Sequence, residues 1–194
     1  MGEKSEQKKA YILEVARKVF MEKGYKSVTM KDIVDACEIS RGGLYLYFDS
    51  TADLFLEVLQ MEQADTDDAL EQALEKETTV ADILALFLKE QKKEILNTQD
   101  NLTIATYEFF FSTKFPKKEN IARRQFEMGV KLLSEMIEAG VATGELYCED
   151  SIAAAKNMMF VIEGLKVAGK TIGVSEKTVD QQLIYMLQGL VAEE

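Results

Sequence analysis

The stretch CEISRGGLYLYF, Cys37 to Phe48, puts an arginine, two adjacent glycines and three aromatic residues into what its surroundings mark as a short helix. Each glycine disfavours a helix by about 1 kcal/mol relative to alanine, so their presence asks for a reason. Ser40 is a good N-cap, and the spacing predicts a helix from there to about Phe48. Leu44 and Phe48, four apart, fall on one side of it and can face a core. Gly42, Gly43 and Leu46 share the outward side, with Arg41 at the start. Missing side chains let backbone approach a partner, and arginine pairs bidentately with a guanine edge or a phosphate.

Working outward, Ile12, Val15, Ala16, Val19 and Phe20 recur at helical spacing between Tyr11 and Lys23, and Gly24 follows as a C-cap. Thr29 and Asp32 form a capping-box pattern that opens a second helix, whose apolar side is Ile33, Ala36 and Cys37. Glu38, Ile39 and Ser40 make a tight break before the third. Ser50 and Asp53 repeat the capping arrangement, launching a fourth helix with Leu54, Phe55, Val58, Leu59 and Met61 along it. Two short helices joined by a tight turn are the helix-turn-helix arrangement, in which the second helix can lie in the DNA major groove.

The rest of the chain reads as helix as well. It has 194 residues, 47% apolar and 29% charged, with a single proline, Pro116. Helical patterns recur in VADILALFLKEQKKEIL, through YEFFFSTKF until Pro116 ends it, from Lys117 to about Gly140, from Ile152 to Ile172 and from Thr178 to Val191. Gly140 and Gly144 punctuate one exit, and Gly173-Val174-Ser175 separates the last two segments. An acidic stretch from Asp65 to Glu77 follows the fourth helix. The expectation is an all-α protein of about nine helices. The helix-turn-helix motif, at about 29–48, falls in a first part over 6–66, and a second helical part follows over 67–194.

Composition excludes several classes. There is no histidine, which removes the commonest general base and the commonest nitrogen ligand for zinc. Phosphate-loop and dinucleotide fingerprints are absent. No enzyme, metal or cofactor is expected. The charged N-terminus and a longest apolar run of six residues, Ile83 to Leu88, predict neither a signal sequence nor a membrane span. Cys37 and Cys148 form no disulfide framework, which suits the cytoplasm. The net charge of -11 is unevenly spread: residues 1–50 hold nine basic against eight acidic residues, residues 51–194 hold 14 against 26. The acidity therefore lies outside the helix-turn-helix region. Lys4, Lys8 and Lys9 form a small basic tip, which is also what a solvated tail would show.

ILEVARKVFMEKGYKSVTMKDIVDACEISRGGLYLYF and the following SxxxLFLEVL pattern resemble the TetR family of transcriptional regulators over roughly the first 65 residues. The resemblance implies a DNA-binding domain over 6–66, a helical effector-binding and dimerisation domain over 67–194, a homodimer formed mainly by the last two helices, a double-stranded operator and a small-molecule effector. It also implies a DNA-facing set of Thr29, Lys31, Ser40, Arg41, Gly42, Gly43, Tyr45, Leu46 and Tyr47. In that set Thr29 and Tyr47 look like phosphate contacts, while Arg41, Gly42 and Gly43 would face base edges. Leu46 could touch a thymine methyl. Tyr45 flanks Leu44, however, and with Phe48 it is expected on the packed side rather than at DNA. Two departures stand out: Glu38 occupies a turn position that is often glycine, and Thr51 stands where lysine is usual.

The second half describes a ligand site less sharply. Tyr107, Phe109, Phe110, Phe111, Phe115 and Phe126 give an aromatic-rich middle, and Met128, Met136, Met158 and Met159 add adaptable surface. Tyr107, Glu108, Phe110, Phe111, Phe126, Met159 and Glu163 are the candidate lining; a packed core would use the same residue types. Glu108 would need a partner if it faced inward, and a cation stacked on rings could supply one. Glu163 has Lys166 three residues on. Gly164 and Gly169 could let the last two helices approach a symmetry mate. The reading is a ligand-responsive regulator, a repressor released from a palindromic operator. The alternative is a helical DNA-binding or protein-interaction module without a small-molecule effector.

Overall fold

A computed structural model describes residues 2–74, 79–97, 102–114 and 120–191, which form nine helices and no strand. They are α1 (Glu3–Lys23), α2 (Met30–Cys37), α3 (Arg41–Tyr45), α4 (Thr51–Leu74), α5 (Val80–Leu96), α6 (Thr103–Ser112), α7 (Ile121–Thr143), α8 (Ser151–Thr171) and α9 (Glu176–Gln188). The all-α expectation holds. Phe115, Pro116 and Lys117 lie outside the described residues, as do the side chains of the acidic stretch from Asp65 to Glu77.

Two compact units emerge. One comprises Met1–Gln72 and Asp100–Lys114, the other Ala73–Gln99 and Phe115–Glu194. The first unit holds α1 to α3, most of α4, and α6. Its core is a cluster of rings: Phe20 meets Phe55 edge-on at 4.6 Å between centroids, Tyr25 meets Phe109 at 4.9 Å, and Phe55 meets Phe109 at 5.2 Å. Ile12, Ala16, Ile33, Leu44, Phe48 and Leu54 fill the space around them. Edge-to-face pairs of this kind contribute about 0.5–1.5 kcal/mol beyond the area they bury.

α1 begins at Glu3, eight residues before the expected start at Tyr11. Its first two turns are polar all round, so no apolar periodicity marks them, and Glu3 and Glu6 suit the positive end of the helix dipole. α3 is the opposite case, ending at Tyr45 rather than near Phe48. Tyr47 and Phe48 continue as a turn, each amide donating to the carbonyl of Leu44.

The second unit packs α5, α7, α8 and α9 around Leu84, Leu88, Ile95, Leu133, Ile137, Met158, Ile162 and Val179. Thr79 with Asp82 caps α5, Asn120 caps α7, Asp150 caps α8 and Ser175 caps α9. Lys92 pairs with Glu176 at 2.8 Å and Asp180 at 2.6 Å, linking α5 to α9. Gly169 is buried where a Cβ would come within 2.8 Å of the Ile95 carbonyl oxygen. Its missing side chain therefore serves the packing of α8 on α5 inside the chain, not approach to a symmetry mate. Gly164 lies on the open side of α8 with nothing near its Cβ position.

Candidate nucleic-acid interface

Caps set the angle of the two short helices. Thr29 accepts from the Asp32 amide through its hydroxyl and donates its own amide to the Asp32 carboxylate at 2.8 Å, closing the capping box. The Lys23 ammonium, 2.7 Å from Asp32, and the Thr29 hydrogen bonds hold that carboxyl well below the usual carboxylate range. Glu38 then ends α2 in the left-handed region, at φ 53°, ψ 37°, with its amide donating to the carbonyls of Val34 and Asp35. The turn thus does adopt the conformation that favours glycine, and the chain accepts a Cβ there. Ser40 caps α3, its hydroxyl accepting from the Gly43 amide at 3.1 Å.

One face of α3 is anchored and the other is open. Leu44 and Phe48 are buried, and the Lys9 ammonium lies 5.8 Å from the Phe48 ring centre while pairing with Glu57 at 2.9 Å. Arg41, Gly42 and Leu46 are exposed, Leu46 by 82%. Tyr45 is exposed too, correcting its assignment to the packed side. It stands four residues after Arg41 and so shares Arg41's face, with the guanidinium 5.5 Å from its ring centre. Lys31 is exposed on α2. Tyr47 is half-buried, and its hydroxyl lies 3.2 Å from Ser5 of α1.

The two glycines differ. A Cβ at Gly42 would meet nothing within 4 Å. At Gly43 it would lie 3.1 Å from the Ser40 hydroxyl and 3.7 Å from the Lys8 ammonium. Lys8 and Ser5 are neighbours of α3 that stand outside the expected DNA-facing set, Lys8 being legible in the sequence only as part of a basic tip. Their signal was the i, i+4 spacing of Lys4 and Lys8, hidden because the helix carrying it showed no apolar stripe.

Among the 47 residues matched by a family model, 12–58, lies all of this helix-turn-helix; that model describes bacterial regulatory proteins of the tetR family. A second model, the tetracyclin repressor-like C-terminal domain, matches residues 83–182, more than half of the chain. The chain belongs to the tetR family. It is therefore a DNA-binding transcriptional regulator and not an enzyme. A regulator of the same helix-turn-helix type from Bacillus subtilis, YfiR, is 28% identical over 144 residues, 74% of this chain and 70% of that one. QacR of Staphylococcus aureus is 42% identical over 53 residues, 27% of this chain and 28% of its own length. Among solved structures, a putative regulator from Saccharomonospora viridis in complex with choline covers 97% of this chain and 100% of its own at 20% identity, with a TM-score of 0.82. A TetR regulator from Haloarcula marismortui covers 96% and 100% at 21% identity, with a TM-score of 0.81. These two likenesses establish the fold.

In this TetR-family chain the candidate ligand residues fall on both units. Tyr107, Glu108, Phe110 and Phe111 are on α6. Phe111 is 84% exposed and stacks on Tyr107 at 6.3 Å, and Phe110 leans on Phe109 at 5.8 Å. Glu108 has a protein partner: its carboxylate accepts from the Lys26 amide at 3.0 Å, beside Gly24 in the turn after α1. In the second unit, Phe126 packs on Phe160 at 4.8 Å, Met159 lies over Gly129, and Glu163 pairs with Lys166 at 3.8 Å. A separate cleft of about 370 Å³ in that unit is lined by Glu138, Val141, Ala142, Cys148, Glu149 and Ser151.

Proposed function

We propose that the chain is a dimeric repressor that reads a palindromic operator through the open face of α3 and leaves it when a small molecule binds residues of the 67–194 region. The observation that carries the DNA-reading part is Gly42: nothing in the protein needs the absence of its side chain. A helix-weakening glycine at an unobstructed, exposed position makes sense if an outside partner approaches the backbone there. Arg41, Gly43, Tyr45 and Leu46 surround it, Ser40 holds the helix start, and Thr29, Lys31 and Tyr47 flank it as backbone contacts.

Dimerisation through α8 and α9 is supported by exposed apolar stripes. Phe160, Gly164 and Val167 follow one another at helical spacing on α8, and Ile184 and Tyr185 are exposed on α9. A palindromic operator would require the two α3 helices of such a dimer to enter the groove about 34 to 36 Å apart, one turn of B-DNA. Release by an effector then needs a coupling of about 1–3 kcal/mol between the two sites. Structures of this fold hold choline in one protein and stearoyl-CoA in another, so the helical body tolerates ligands of different character. Within that body Phe126, Met159 and Glu163 are the candidate contacts, and Tyr107, Glu108, Phe110 and Phe111 those on α6. The protein would act on DNA in the cytoplasm.

Selection of bound duplexes from random fragments, followed by binding of Arg41→Ala to single-base variants of the selected site, tests this reading. Arg41→Ala should change preference at one position by about 1–3 kcal/mol and leave the others alone. Equal losses across all variants would make Arg41 a phosphate contact, and no selected duplex at low salt would overturn the regulatory role.

A further inference from the structure

We infer that the first two turns of α1 form a phosphate-binding surface continuous with α3, in which Lys8 contacts the DNA backbone beside the groove that α3 enters. It rests on the DNA-reading role of α3 and extends it to a different helix. The Lys8 ammonium reaches the space over Gly43, 3.7 Å from where a Cβ there would stand. Ser5, three residues before it, meets the Tyr47 hydroxyl at 3.2 Å, so two consecutive turns of α1 touch the α3 region.

Helix geometry sorts the charges of this segment. At about 100° per residue, Lys4 and Ser5 fall within about 60° of Lys8, whereas Glu6 and Glu3 lie about 160° and 140° away, on the far side. The neighbouring Lys9 is committed to Glu57 and the Phe48 ring. Lys8 is exposed and has no ion pair among the described residues. A cation held over the start of a recognition helix, with the acids turned away, is arranged for an anion outside the protein. A side chain longer than a methyl group at position 43 would compete for the same space, which gives Gly43 a reason different from that of Gly42.

The test measures binding against salt concentration for the full chain, on the operator recovered by selection and on an unrelated mixed-sequence duplex. Lys8→Gln should flatten the slope of log affinity against log salt by roughly 0.9 per subunit on both duplexes, because one counterion-displacing contact is lost. Lys8→Arg should keep the slope. Lys18→Gln removes the same charge from an exposed site ten residues further along α1, and should also keep it. Glutamine and lysine have similar helix propensity, so the melting temperature should not change. A Lys8→Gln slope equal to that of the unaltered chain, or an equal flattening by Lys18→Gln, would overturn the inference while leaving the role of α3 intact. Failure of the unaltered chain to bind either duplex would overturn both.

Discussion

The two units solve the same packing problem with different materials. In the first, Phe20, Tyr25, Phe55 and Phe109 lock ring against ring, three of the pairs edge to face at centroid separations of 4.6 to 5.2 Å. In the second, the buried residues are aliphatic or methionine, with Phe87 and Phe126 only partly buried around them. Rings meeting edge to face fix both distance and angle, whereas methionine and leucine fill irregular space and repack at low cost. The unit that holds α3 has a stiff interior, and the one that holds α7 to α9 has a forgiving one.

That contrast can be broken most directly by core substitution. Phe55→Ala should lower stability by about 3–5 kcal/mol in chemical denaturation, since it empties the centre of the ring cluster. Met158→Leu, at an equally buried point of the other core, should cost less than about 1.5 kcal/mol. Similar losses for both would end the distinction. A smaller effect sharpens it: the second unit ends α7 with Gly144 at φ 78°, while the first ends α2 with Glu38 at φ 53°. Glu38→Gly should therefore raise the melting midpoint, by an amount equivalent to about 1 kcal/mol.

The smallest effect concerns acid. Asp32 and Asp82 sit in equivalent capping boxes, but only Asp32 pairs with a lysine among the described residues. Its carboxyl is depressed first by the Lys23 hydrogen bond and then by those of Thr29. The stability it contributes is present above the ordinary aspartate value of 3.8 and is lost as pH falls towards the depressed folded value. Stability measured from neutral pH downward should fall less steeply below pH 3.8 in Asp32→Asn than in the unaltered chain. Parallel curves would remove Asp32 as a source of acid sensitivity.

Local chemistry made much of this fold legible in advance. Thr29, Ser40 and Ser50 start their helices as their side chains dictate, and VADILALFLKEQKKEIL is α5 residue for residue. Apolar periodicity failed where a helix has no apolar stripe, hence the missed first turns of α1. It also placed Tyr45 inside because it reports which residues are apolar, not which side of a five-residue helix Arg41 occupies. Glu108 shows a further limit. Its partner is a backbone amide 82 residues away in sequence, which no spacing rule anticipates. The candidate ligand residues suffer the same way, since an aromatic run on α6 looks identical whether its rings pack on one another or on a guest.

The open space at Gly42 has a consequence for divergence. Position 43 is hemmed in by the Ser40 cap and Lys8, so change there disturbs the protein before it touches a base. Position 42 is free of such obligations, and any side chain placed there costs the fold little. A gene duplicate could acquire a new set of target promoters by drifting at this codon alone, keeping its hydrophobic interior, its caps and its partner contacts unchanged.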